Sequence, residues 1–138
     1  YSRTNVKLDF KVIPILDFEV AFDPFTPVNT ELIYGEILAT FINVTNTGNV
    51  LDRYDIEVFG LDEDLFFLYE PVNSTNQLHT GVHAVYSTVI GFQIPHYEIT
   101  MPGPRDFTIK VSSYTDRTIT KIFTCSIVIT EYHLIYFE

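Results

Sequence analysis

The sequence predicts an all-β chain folded as a two-sheet sandwich, and three observations carry that expectation. Apolar and polar residues alternate with a period of two in several runs, the mark of a strand with one dry face. The composition suits pleated surfaces, with 9 Tyr, 12 Phe and no Trp in 138 residues, and no window sustains the i, i+3, i+4, i+7 spacing of an amphipathic helix. Turn-rich segments separate the alternating runs at a spacing that favours two packed sheets over a barrel. At this length one continuous core is expected.

The elements follow in order. Val6, Leu8, Phe10 and Val12 alternate with Lys7, Asp9 and Lys11, a strand with one wet face. Pro14 interrupts, so residues 1–12 read as an N-terminal strand or linker and residues 13–138 as the domain. Leu16, Phe18, Val20 and Phe22 form the next run, stopped by Asp23-Pro24 and Thr26-Pro27. Leu38, Thr40, Ile42 and Val44 are expected to line the core, with Asn43 and Thr45 outward. Asn46-Thr47-Gly48-Asn49 supplies residues that tolerate positive φ, and Asp52 to Gly60 is expected to pair back across that turn. Leu61-Asp62-Glu63-Asp64 makes a polar corner before the apolar run Leu65 to Tyr69. Residues 72–83 read as the longest loop. Tyr86, Thr88, Ile90, Phe92 and Ile94 alternate inward up to Pro95, Pro102-Gly103-Pro104-Arg105 turns the chain, and Asp106 to Val111 begins the next strand. Residues 119–131 form the last strand of the sandwich, leaving the apolar tail 132–138.

The series Ile42 to Asn49, Tyr54 to Val58, Phe92 to Pro95 and Pro102 to Val111 resembles the immunoglobulin-like modules of archaeal and bacterial surface proteins, including CARDB-type domains and the modules beside α-galactosidase carbohydrate-binding domains. The likeness spans roughly residues 14 to 131 and implies an immunoglobulin-like β-sandwich in an extracellular, cell-surface setting. In the resembled modules a Tyr often opens the strand after the Pro-Gly turn and ties its hydroxyl to a loop. Phe107 stands there in this chain, so that tie cannot form.

The formal charge of −10 repels phosphate backbones, and the Lys and Arg residues form no stripe, which argues against nucleic-acid binding. No apolar run is long enough for direct membrane insertion. Cys125 is the single cysteine, so no intrachain disulfide forms. It shares a face with Phe123 and Ile127 and reads as a small buried hydrophobe. The first residue is Tyr, which suggests a processed product or a piece of something longer.

Two Asn-x-Ser/Thr patterns, at Asn43 and Asn73, are candidate glycosylation sites. Asp62, Glu63 and Asp64, with Asp52 and Asp55 near in sequence, are the candidate calcium ligands, because calcium needs six to eight oxygens and loops let carboxylates converge; without EF-hand spacing, the same residues also read as a solvated acidic corner. No other cofactor is expected. His79 and His83, separated by Gly81 in a loop, read as surface histidines, and the isolated His96 and His133 as turn or edge residues. No Gly-x-Ser-x-Gly elbow, phosphate-cradling loop or zinc motif is present, so no enzymatic activity is expected. A structural or adhesive module follows, with adjacent domains or other copies of itself as protein partners. Its contacts are expected at the terminal strands, Val6, Leu8, Phe10, Val12, Leu134 and Tyr136. The alternative is carbohydrate binding, by Tyr69, Tyr97 and Tyr114 stacking on sugar rings, or the accessory domain of an extracellular enzyme.

Overall fold

The computed structural model describes residues 12–69, 77–95 and 101–130. Among them, alternation has produced two stacked sheets. One carries β1 (Phe18–Asp23), β3 (Ile37–Asn46), β7 (Val85–Gln93) and β5 (Phe66–Tyr69), in the spatial order β1-β3-β7-β5. The other carries β2 (Thr30–Ile33), β9 (Thr120–Thr130), β8 (Gly103–Ser113), β4 (Asp52–Phe59) and β6 (Gln77–Thr80), in the order β2-β9-β8-β4-β6. A 3₁₀ turn at Glu63–Leu65 precedes β5. All pairings are antiparallel except β2 with β9.

The registers define two poles. Phe18 pairs with Asn46, Val85 with Thr45, Thr80 with Asp52 and Thr120 with Ser112, which gathers residues 12–17, 46–52, 80–85 and 113–120 at an upper pole. The turns 34–36 and 60–65 and the end of β9 lie at the lower pole. The first described residues therefore sit at one pole, and Thr130 leaves from the other.

Inward residues of both sheets make one core. Phe18, Ile42, Ile90, Phe92, Ile109 and Ile127 are fully buried. Phe92 meets Phe107 across the sheets with ring centroids 5.6 Å apart, and Phe18 meets Tyr54 at 4.7 Å. The expected inward face of β3 and β7 is the observed one, apart from Tyr86, which is 38% exposed, and Leu38, which is half-buried. Cys125 is buried, and burial pushes its thiol up to about 11.

Three expectations are corrected. Asp52 to Phe59 does not pair back across Asn46 to Asn49: β3 and β4 belong to different sheets, and the turn is a crossing between them. The reason is that its hydrogen-bonding groups are taken by an earlier segment. Thr47 N and Gly48 N both donate to Asp17 O, and Asn49 N donates to Ile15 O. Residues 77–80, read as loop, form β6, held to β4 by the pairs Asp52 with Thr80 and Tyr54 with Leu78. The chain turns before Gly103 rather than through Arg105, and β8 already pairs Gly103 with Ile129. The short β2 was not anticipated. Val12 is 71% exposed and precedes β1 in a segment that is not a strand; Val6, Leu8, Phe10, Leu134 and Tyr136 lie outside the described residues.

The hydroxyl of Tyr54 is buried without a hydrogen-bond partner among the described residues. Burial pushes its pKa up to about 12, and Asp52 and Asp17 push the same way. The folded phenol thus holds its proton more tightly than an unfolded one, with its ordinary value of 10.0. The stability linked to that proton is intact below pH 10 and is lost as pH climbs through 12. Tyr54→Phe removes an unsatisfied buried group, so stability at pH 7 is expected to hold or to rise by about 1 kcal/mol. Its denaturant midpoint is expected to fall less between pH 9 and 11.5 than that of the wild type.

Candidate functional site

The densest polar constellation lies at the upper pole, where β4 begins and β8 ends. Asp52 opens β4 and is buried. Its Oδ2 accepts from Ser113 Oγ at 2.5 Å, and its Oδ1 accepts from Arg53 N at 2.8 Å, Thr115 Oγ1 at 2.7 Å and Thr115 N at 3.3 Å. A buried carboxylate persists when each oxygen is met by donors in this way. Ser113 Oγ in turn accepts from Asp116 N at 3.2 Å, and Asp116 Oδ1 accepts from Thr118 N and Thr118 Oγ1, which lowers its pKa. The knot thereby fastens the turn between β8 and β9 to the start of β4.

Outside this knot, two guanidinium groups lie over the Tyr114 ring, with Arg53 Cζ 4.8 Å and Arg117 Cζ 5.1 Å from its centroid. Arg117 also pairs with Asp55, and Arg53 Nη1 donates to Gln77 Oε1 at 3.2 Å. Leu51, Asp52, Arg53, His79, Tyr114 and Thr115 line a shallow hollow of about 260 Å³ here. The local backbone explains the grouping: Tyr114 follows the end of β8 and donates its N–H to Arg53 O at 2.7 Å, and the pair Arg53 with His79 brings the imidazole alongside. The arrangement presents cations and an aromatic ring. It holds no Ser–His or Cys–His pair, since Ser113 is buried and bound directly to a carboxylate.

The candidate calcium ligands are divided by the fold. Asp52 and Asp55 stand at the start of β4 and are engaged with Ser113, Thr115 and Arg117, whereas Asp62, Glu63 and Asp64 follow its end. Seven residue steps separate Asp52 from Phe59, roughly 23 Å along a strand. Glu63 and Asp64 instead meet Glu36 around a second hollow of about 350 Å³ at the lower pole, lined also by Ile37, Phe66 and Pro95. Among the described residues no three His, Cys, Asp or Glu side chains are gathered as metal ligands.

Asn43 is on β3 between β1 and β7, half-buried, and its Oδ1 accepts from Ser87 Oγ. Asn73 lies outside the described residues, as do Tyr97, His96 and His133. Tyr69 is exposed on β5, an edge strand of one sheet, and Tyr114 is exposed just beyond the end of β8 of the other sheet, so these two rings do not share a platform. His79 and His83 are exposed. Arg53 and Arg117, which the sequence reading passed over, are the residues that give Tyr114 its surroundings. Their separation of 64 positions leaves no local pattern to find.

No family model and no curated relative matches the sequence. Among solved structures, a family 123 glycoside hydrolase from Clostridium perfringens superposes with a TM-score of 0.59 at 12% identity, over 75% of this chain and 23% of that one. The native α-2-macroglobulin of E. coli gives 0.55 at 8% identity, over 83% of this chain and 7% of that one. The SrpA adhesin of Streptococcus sanguinis gives 0.54 at 10% identity, over 88% and 60%. This chain thus spans less than two thirds of each. With two strand-built sheets, it has an immunoglobulin-like β-sandwich fold.

Proposed function

We propose that this chain is a non-catalytic structural or adhesive module of an extracellular cell-surface protein, associating with further copies or neighbouring domains through its poles. One observation carries the reading. Large apolar side chains stand exposed at both poles, Ile13, Ile15 and Leu51 above, Tyr34, Ile37 and Met101 below, while the polar groups of the upper knot are consumed by one another. Exposed apolar residues gathered in patches point to contact with protein. The resemblance to surface modules supports the extracellular setting, as does the likeness to an adhesin. No helix among the described residues is long and apolar enough to cross a membrane.

Sedimentation velocity over micromolar to millimolar protein tests the proposal. Oligomers are expected to grow with concentration, and more readily at 0.5 M than at 0.05 M NaCl (arbitrary high and low settings, about threefold apart in screening length), because copies of charge −10 repel. A monomer throughout would overturn it.

The hollow beside Tyr114 favours a second reading, a glycan site in which the ring and Arg53 contact sugar. A glycan array decides between them: the structural module binds nothing there, and a glycan site gives binding that Tyr114→Ala removes.

A further inference from the structure

Among the described residues, the upper half of β9 is an open sheet edge. β2 covers only its lower end, from Thr30 opposite Ile127 to Ile33 opposite Thr130. Just above, Ser126 N donates to Pro27 O and Ser126 Oγ accepts from Asn29 N. Beyond that, no described residue pairs with Thr120 to Cys125 on this side, because the chain there belongs to β1 of the other sheet. Backbone groups alternate in direction along a strand. Since Ser126 N–H faces the β2 side, the N–H and C=O groups of Thr120, Ile122 and Thr124 face it too. An open edge of this kind is a template for another strand.

We propose that this edge receives residues 131–138 of a second copy, paired parallel to β9 and in line with β2. The inference rests on the self-association reading above. β9 leaves the lower pole at Thr130, and the eight following residues span roughly 26 Å when extended, against roughly 20 Å for the six-residue open stretch. A copy stacked below in the same orientation offers its upper pole to that segment. The segment then runs on in its own direction, which is parallel to the β9 it meets.

The chemistry of the slot selects this occupant. On its inner side lies Phe123, edge-to-face with Phe22 at 5.2 Å; on its outer side lies Ile122, 64% exposed. Leu134 and Tyr136 alternate with Ile135 and Phe137, so the segment is apolar on both faces. Residues 6–12 would instead set Lys7, Asp9 and Lys11 over Ile122. The contact is heterologous and does not close, so it builds a linear filament.

The test uses four full chains: wild type, Thr124→Pro, Leu134→Pro and Leu8→Pro. Proline at position 124 removes an N–H that β8 does not use, so the edge is lost while the sandwich remains. Thr124→Pro and Leu134→Pro are each expected to unfold cooperatively and to lose all oligomers. Their mixture is expected to form a 1:1 dimer and nothing larger, because one retains the tail and the other retains the edge. Leu8→Pro is expected to assemble like the wild type. Should Thr124→Pro fail to fold, Ile122→Lys takes its place, with a charge at an exposed edge position. Oligomers that persist in the folded edge or tail variants overturn the strand exchange and leave self-association standing, as does a mixture that stays monomeric. Loss of assembly in Leu8→Pro transfers the slot to the N-terminal segment and overturns the proposal. A wild type that is monomeric throughout overturns the underlying reading itself.

Discussion

Phe92→Ala is expected to lower the unfolding free energy by about 3–5 kcal/mol. The side chain is fully buried and sits on the central strand β7, opposite Leu38 of β3 and Phe66 of β5. Its ring also bridges to Phe107 of the other sheet. Truncation therefore removes apolar surface and leaves a cavity whose lining comes from strands of both sheets, each held by its own ladder and unable to collapse inward. Asn43→Ala is the matched comparison. Asn43 is half-buried on the opposite face of the same sheet and loses its contact with Ser87, an expected cost of about 1 kcal/mol. Urea titrations should show a much lower midpoint for Phe92→Ala at an unchanged slope. Equal midpoints for the two variants would mean that the register of this sheet is shifted by one residue.

The parts of the fold legible from sequence are those where burial itself writes the pattern. β3 and β7 are central, each with a buried and an outer face, so Thr40-Ile42-Val44 and Thr88-Ile90-Phe92 alternate plainly. β6 carries the polar residues Gln77, His79 and Thr80, and its strand character comes from the ladder to β4 rather than from its own composition. β2 has four residues with one fully buried side chain, Leu32, too short for a period to emerge. Residues 46–49 announce a turn correctly, but turn propensity does not say which sheet the chain enters next. That choice rests on residues 13–17, whose carbonyl groups take the donors a hairpin would have used. The polar knot at the upper pole was illegible for a related reason. The sequence sets Asp52 beside its near neighbours Asp62, Glu63 and Asp64, while its side-chain donors, Ser113 and Thr115, are 61 and 63 positions away.

Gly48→Ala should then be the most damaging change outside the core. A Cβ at this position would stand 2.2 Å from Ile15 O and 3.0 Å from Asp17 N, both backbone atoms that cannot swing aside as a side chain does. Either the crossing from β3 to β4 or the segment 13–17 must move. The segment is the weaker party, because it precedes β1 without belonging to a sheet. It is held by Asn49 Oδ1 accepting from Ile15 N at 2.6 Å and Asn49 Nδ2 donating to Ile13 O at 2.9 Å, besides the donations of Thr47, Gly48 and Asn49 N–H to Asp17 O and Ile15 O. Displacing it breaks several of these bonds at once, at about 1 kcal/mol each, for an expected loss of about 2–4 kcal/mol. Gly35→Ala separates this steric cost from backbone conformation: Gly35 has φ +84 and open space around a would-be Cβ, so its cost is expected to stay near 1 kcal/mol. Amide exchange locates the damage. The N–H groups of Thr47, Gly48 and Asn49 are expected to exchange much faster in Gly48→Ala, while those of β7 and β8 report only the global loss of stability. Unchanged protection at these amides would show that the crossing absorbs a methyl group, and that residues 13–17 do not pin it.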